Sequence, residues 1–218
     1  MKVKLVHSTS PWQAVYNAKV THGKGLIMVS ESFDNPDDSL KKLCEHLLKS
    51  EHFSVFRQNT YMFYIQELPR YVLQQLARHK FVELLVESTR YHFGQLVREW
   101  RELTPKAKES WLMQHFEILD NSDLELLAKI MDHITRFHLD KQIPIDQLKH
   151  LIPEGLYTNL TMTTNATQLM HMFRVRLAPD AHPRFRELMI QIKHVLREKY
   201  PTFWYLVFKT LYPEYVSL

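Results

Sequence analysis

Glycine is scarce in this chain of 218 residues: there are 4, and neither GxGxxG nor GxxxxGK[ST] occurs. The backbone cradles that hold dinucleotides and triphosphates in the familiar folds are therefore absent. Cysteine is scarcer still. The single Cys44 cannot form an internal disulfide, which fits a reducing compartment. No stretch approaches the ~20 apolar residues of a membrane span, and the apolar run in MKVKLVHSTSPW is too short for a secretory signal. A soluble, cytoplasmic protein is expected. The 13 histidines do not form a metal set: there is no HExxH, and His133 and His138, five apart, miss the i, i+4 face that aims two rings at one ion. No metal is expected.

Charge excludes less. The net +4 arises from 28 Lys+Arg against 24 Asp+Glu and is spread along the chain, so it suits an anionic ligand about as well as nucleic acid. No stacking platform or RNA-binding motif accompanies it, so nucleic acid is not the expected partner.

With 45% hydrophobic and 12% aromatic content, the chain can bury one substantial core, and a single domain over 1–218 is expected. Residues 2–7 alternate as a strand does. Asp37 or Asp38 can cap a helix whose Leu40, Leu43, Leu47 and Leu48 recur at helical spacing, with Cys44 on the same stripe. NTYMFYIQ (59–66) reads as a strand, and Pro69 opens a helix to about Ala77. Leu124, Leu127, Ile130, Met131 and Ile134 share one face of a helix over about 123–139. LYTNLTMTT (156–164) is strand-like, and Asn165 can cap a helix to about Leu177. Pro183 and Pro201 divide the remaining helices, where Phe185, Leu188, Met189, Ile192, Val195 and Leu196 make a core face. The class is α+β: one mostly helical domain with a mixed sheet.

The stretch RHKFVELLVESTRY (78–91) brackets an apolar run with cations. Arg78, His79 and Lys80 stand at the end of the Pro69 helix, where the dipole favours cations by ~0.3–1 kcal/mol. Alternatively Arg78 and Arg90, with the Ser88 hydroxyl between, converge on a phosphate, since the planar guanidinium donates two hydrogen bonds to one oxyanion. In that arrangement the apolar middle packs against the core.

QLARHKFVELLVESTRY (75–91) resembles the signature of the flavin-dependent thymidylate synthases, Q-x-x-R-H-R, seven loosely filled positions, then S-x-R-Y. Gln75, Arg78, His79, Ser88, Arg90 and Tyr91 fall at matching spacing. Upstream, HFSVFRQNTYMFYI is similar to the family's H-x-S-V-x-E-H-x-x-F-T-F, with His52, Ser54, Val55 and Phe63 in register. Downstream, LIPEGLYTNLTMTTNATQLMHMFRVRLAPDAHPRFREL resembles L-P-x-x-x-Y-T, then N-A-R-x-L-x-x-F-x-x-L-R, then A-Q-x-E-I-R. The likeness covers roughly residues 50–91 and 149–200.

The resemblance implies homotetrameric α+β subunits that share active sites and stack FAD against dUMP. Flavin recharged by NADPH moves a one-carbon unit from methylenetetrahydrofolate to C5 of the uracil and reduces it to methyl. Carried over residue by residue, Gln75, Ser88, Arg90, Lys149 and Arg176 bind nucleotide, with Ser88 and Arg176 at the chemistry. Arg78, His79 and Lys80 match the R-H-R flavin cluster, and Ser54, Asn165 and His171 match flavin contacts. Asn165 also reads as a plain helix cap, His171 as a surface helix residue and Lys149 as a solvated lysine. The other class of thymidylate synthase attacks C6 with a cysteine thiolate, whereas Cys44 lies on an apolar helical stripe, where a thiol is inert.

Departures fall mainly on the flavin side. Arg57 and Gln58 replace E-H, Thr167 replaces the arginine of N-A-R, Lys80 replaces the second arginine of R-H-R, and Glu83 replaces a small residue. Leu85 and Val86 stand where many relatives have Asn-Glu, Asp180 where histidine is frequent, and His182 where glutamine is usual. The pattern leaves two alternatives to methylation of dUMP: another C5 alkylation of a uridine nucleotide, such as hydroxymethylation, and a nucleotide-binding protein that has lost catalysis.

Overall fold

The computed structural model describes residues 1–23 and 36–218. Its elements, in chain order, are β1 (Lys2–Ser8), α1 (Pro11–Asn17), α2 (Asp38–Lys49), β2 (Tyr61–Pro69), α3 (Arg70–Leu76), β3 (Val82–Val86), α4 (Thr89–Glu102), α5 (Pro105–His115), α6 (Asn121–Thr135), α7 (Ile145–Leu148), β4 (Tyr157–Thr164), α8 (Ala166–Arg176), α9 (Pro183–Lys199) and α10 (Pro201–Leu211). The α+β class, mostly helical, is as expected. No helix among the described residues is long and apolar enough to cross a membrane.

Local chemistry sets most boundaries. Asp37 caps α2 by accepting from the Leu40 N–H at 2.7 Å, and Asn165 caps α8 by accepting from the Gln168 N–H at 2.9 Å. Pro183 and Pro201 open α9 and α10, where a missing N–H costs nothing. Pro69 behaves differently from expectation: it ends β2, and the helix begins at Arg70. The expected helix over 123–139 is α6 from Asn121, capped by Asp120, followed by a wider turn at Arg136–Asp140. Val195 is only half-buried, while its companions on the α9 stripe are buried.

The sheet order is β1-β2-β4-β3, and the sheet is antiparallel rather than mixed. Residue 67 meets 159 and 70 meets 156, while 87 meets 159 and 81 meets 164, all descending against ascending numbers. β2, α3 and β3 do run as a strand-helix-strand unit, but β4 is inserted between the two strands. Among the described strands no parallel pair forms.

β3 is thus an edge strand, and the expected burial of the apolar middle is only partial: Val82, Leu84 and Val86 are half-buried, while Leu85 is 76% exposed and Phe81, in the turn before the strand, 70%. Only one neighbour covers it, and alternation sends Glu83 and Leu85 outward. Phe81, in the preceding turn, sits at φ 56°, a region unfavourable for a side chain of its size. Its carbonyl accepts a 2.8 Å bond from the Thr164 hydroxyl, which anchors that turn.

The chain divides into two compact units, residues 1–65, 77–84 and 161–218, and residues 66–76 and 85–160. The first has an aromatic core: Phe203 meets Trp12, Phe56 and Trp204 edge-on, and Trp204 meets Tyr61 and Phe173. Each such ring contributes about 1.5–3 kcal/mol on burial. Because α8 buries Leu169, Met170, Met172 and Phe173, its His171 and Arg174 are left on the exposed side. The second unit packs Phe93, Val97 and Trp100 of α4 with Leu127, Met131 and Ile134 of α6. This packing fixes α4, whose first turn carries Thr89 and Arg90.

Candidate functional site

In the first unit, cations gather where the turn 77–81 meets α8 and α9. Arg78 and Lys80 are exposed and His79 is half-buried. The Arg176 Nε–H donates to His79 Nε2 at 3.0 Å, and the guanidinium lies over the Phe185 ring, 4.5 Å from its centroid. The His79 ring meets Phe185 edge-on at 5.6 Å and His171 at 6.1 Å. Arg174 Nη2 approaches His171 Nδ1 at 3.4 Å.

Burial, then the Arg176 and His171 charges, push the His79 imidazole down to about 4. Burial also lowers His171, helped by Arg174 and Arg176, and it lowers Arg176, helped by Arg78. His79 is therefore neutral at ordinary pH and accepts at Nε2, which puts its proton on Nδ1. The charges acting on these three groups are all cationic. Such a cluster is suited to an anionic ligand.

The remaining residues expected on the flavin side lie nearby in sequence or in this unit. Asn165 Oδ1 accepts the α8 cap bond. The Thr167 hydroxyl donates to the Phe53 carbonyl at 2.6 Å, which ties α8 to the short 3-10 segment Phe53–Gln58. Ser54, exposed on that segment, lines a cleft of about 610 Å³ with Lys19, His46 and His52. Cys44 is buried, and burial pushes its thiol up to about 12. It stays protonated and is no nucleophile.

In the second unit, Ser88 occupies the N-cap position of α4, yet its side chain makes no capping bond. The approach to it is fastened by Glu87: its N–H donates to the Asn159 carbonyl at 3.0 Å, and its carboxylate accepts from the Asn159 N–H and pairs with His92. Two residues beyond Ser88, Arg90 Nε lies 3.3 Å from Asp146 Oδ2, while Lys149 Nζ lies 2.6 Å from Asp146 Oδ1. The Lys149 hydrogen bond, then the Lys149 and Arg90 charges, hold the Asp146 carboxyl below its ordinary range. Arg90 and Asp146 line a cleft of about 270 Å³ that also takes in Tyr91, Gln95, Arg98 and His138. Gln75 is half-buried on α3.

The second unit therefore brings Arg90 and Lys149 together, and the first brings His79, His171 and Arg176 together. Sequence reasoning missed Asp146 and Glu87. Asp146 left a signal, three residues before Lys149 on one helical turn; the link from Glu87 to Asn159 spans 72 residues and left none. Among the described residues no group of three or more His, Cys, Asp or Glu side chains is gathered as a metal site would need.

The model of one protein family, described as thymidylate synthase complementing protein, matches residues 4–202. A flavin-dependent thymidylate synthase of Thermus thermophilus is 26% identical over 209 residues, covering 93% of this chain and 73% of that protein. An enzyme of the same name from Campylobacter jejuni is 32% identical over 143 residues, 64% of this chain and 67% of the relative. Among solved structures, thymidylate synthase X from Helicobacter pylori with FAD and dUMP shares the fold at a TM-score of 0.77, with 23% identity over 97% of this chain and 99% of that one.

Proposed function

This chain belongs to the thymidylate synthase complementing protein family, and we propose that it methylates dUMP reductively at C5, with FAD as cofactor, methylenetetrahydrofolate as carbon donor and NADPH as the source of reducing power. The observation that carries this reading is the coincidence of motif and geometry: Arg90 and Lys149, matched to nucleotide positions, both pair with Asp146, which with Arg90 lines a cleft.

The chain's own residues then divide the work. Arg90 and Lys149 hold the nucleotide phosphate, assisted by the Ser88 hydroxyl and the N–H groups at the start of α4, where the helix dipole favours an anion. The Gln75 carboxamide contributes polar contacts to the same nucleotide. Arg176 reads the pyrimidine, and its charge stabilises negative charge that develops on the base as C5 becomes nucleophilic. Arg78 and Lys80 meet flavin phosphates, with Ser54, Asn165 and His171 as further contacts. Bound FAD supplies the hydride chemistry. The reduced thiol of Cys44 suits a cytoplasmic setting.

Exposed Leu85 on the edge strand and exposed Phe81 in the turn before it support burial against further copies of the chain. A homotetramer with shared sites is the expected assembly, and a strictly monomeric protein that still turns over dUMP contradicts it. The second reading, another C5 alkylation such as hydroxymethylation, or nucleotide binding without catalysis, draws on one observation: Thr167, where relatives carry arginine, is committed to the Phe53 carbonyl. Expression in a thymidine-requiring host separates the readings. Growth without thymidine is the expected outcome, and failure to grow with soluble protein present overturns the methylation proposal.

A further inference from the structure

The resemblance assigns His79 to flavin and Arg176 to nucleotide, yet these side chains, 97 positions apart, are hydrogen-bonded to each other at 3.0 Å. The bond uses the Arg176 Nε–H, and its engagement restrains rotation of the guanidinium about its stem. The plane is set independently by the Phe185 face at 4.5 Å, and Phe185 also braces the imidazole edge-on at 5.6 Å. Phe185 is fully buried, so this pair of contacts rests on a rigid support. A histidine whose Nε2 already accepts from arginine cannot also offer that nitrogen to a cofactor.

We propose that His79 is a positioning residue for Arg176: its neutral ring accepts the Nε–H and, with Phe185, sets the guanidinium plane through which the pyrimidine is read. The proposal rests on the nucleotide reading above. The lowering of the imidazole to about 4 by burial and by its cationic neighbours agrees with it, because protonation would replace an acceptor with a second cation beside Arg176. His171, with its ring centroid 6.1 Å away, opposes protonation of His79 as well.

The test compares dUMP and FAD affinities, by calorimetry on the full chain, for wild type, Arg176→Ala, His79→Phe and His79→Gln. Phenylalanine keeps a ring against Phe185 and removes the acceptor; glutamine retains a neutral acceptor near the Nε2 position. Loss of one such hydrogen bond is expected to weaken dUMP about three- to tenfold in His79→Phe, with FAD affinity unchanged and dUMP affinity restored in His79→Gln. Should His79→Phe not fold, His79→Ala serves as the arm lacking an acceptor. Weakened FAD with unaltered dUMP overturns the proposal, as does unaltered dUMP affinity in every His79 variant while Arg176→Ala is impaired. If Arg176→Ala binds dUMP as wild type does, the nucleotide reading of Arg176 itself fails.

Discussion

Replacing Arg90 with alanine removes a fork whose Nε lies 3.3 Å from Asp146 and whose side chain is 66% exposed. A charge-assisted hydrogen bond to a ligand phosphate contributes about 1.5–3 kcal/mol. Part of that is offset in the free protein, because Arg90 must leave Asp146, although a pair this exposed is weakly held in water. The lower half of the range applies, so dUMP affinity should fall about thirteen- to forty-five-fold. Asp146 adds a second effect. Without Arg90, its carboxylate is balanced only by Lys149 at 2.6 Å and repels an incoming phosphate. Arg90→Ala with Asp146→Asn should therefore bind roughly two- to fivefold tighter than Arg90→Ala alone, and Asp146→Asn alone should bind at least as tightly as wild type. Calorimetric titration of dUMP into the four proteins measures all three comparisons. The Arg90→Ala penalty should shrink as salt rises from ~50 to ~200 mM, since exposed charges are screened. Unchanged affinity in Arg90→Ala refutes the phosphate assignment, and a larger loss in Asp146→Asn than in Arg90→Ala refutes the competition between carboxylate and phosphate.

Local signals in the sequence were legible where one residue type solves a local problem. Asp37 and Asn165 satisfy orphan N–H groups at helix starts, Pro183 and Pro201 occupy first-turn positions, and the stripe Phe185, Leu188, Met189, Ile192 and Leu196 is buried as its spacing implies. Cys44 on the stripe of α2 is buried too. Legibility ended where the answer depended on a distant partner. Composition tells that Val82 to Val86 is largely apolar, but not that only one strand lies beside it, so the exposure of Leu85 could not be read. The inserted β4 is equally invisible to local pattern, and without it a strand-helix-strand unit reads as a parallel pair. The same holds for the site. Motif spacing named Arg90 and Lys149; Asp146 left a local signal toward Lys149, but its contact with Arg90 emerges only in three dimensions. The bond from Arg176 to His79 joins two blocks that spacing treats separately.

Cys44→Ala should retain full activity and lose about 1 kcal/mol of stability, because the thiol is buried and inert; loss of turnover in a folded variant contradicts this. Thr167→Val removes the 2.6 Å bond to the Phe53 carbonyl and should destabilise by about 0.5–1.5 kcal/mol, seen as a lower melting temperature; an unaltered melt denies that tie its role. The last prediction concerns flavin. Lys80 presents a point charge where relatives have a bidentate arginine, Glu83, exposed on β3, adds negative charge, and Thr167 supplies no cation. If two charge-assisted contacts are missing, at ~1.5–3 kcal/mol each, FAD affinity is lower by a factor on the order of a hundred to ten thousand. Purified protein should then be nearly colourless and regain flavin absorbance when FAD is added, and Lys80→Arg with Glu83→Ser should bind FAD more tightly than wild type in the same titration. Equal affinity in both proteins moves the flavin phosphates away from the turn 77–81, and no binding by either at millimolar FAD removes the flavin mechanism and leaves nucleotide binding as the activity to pursue.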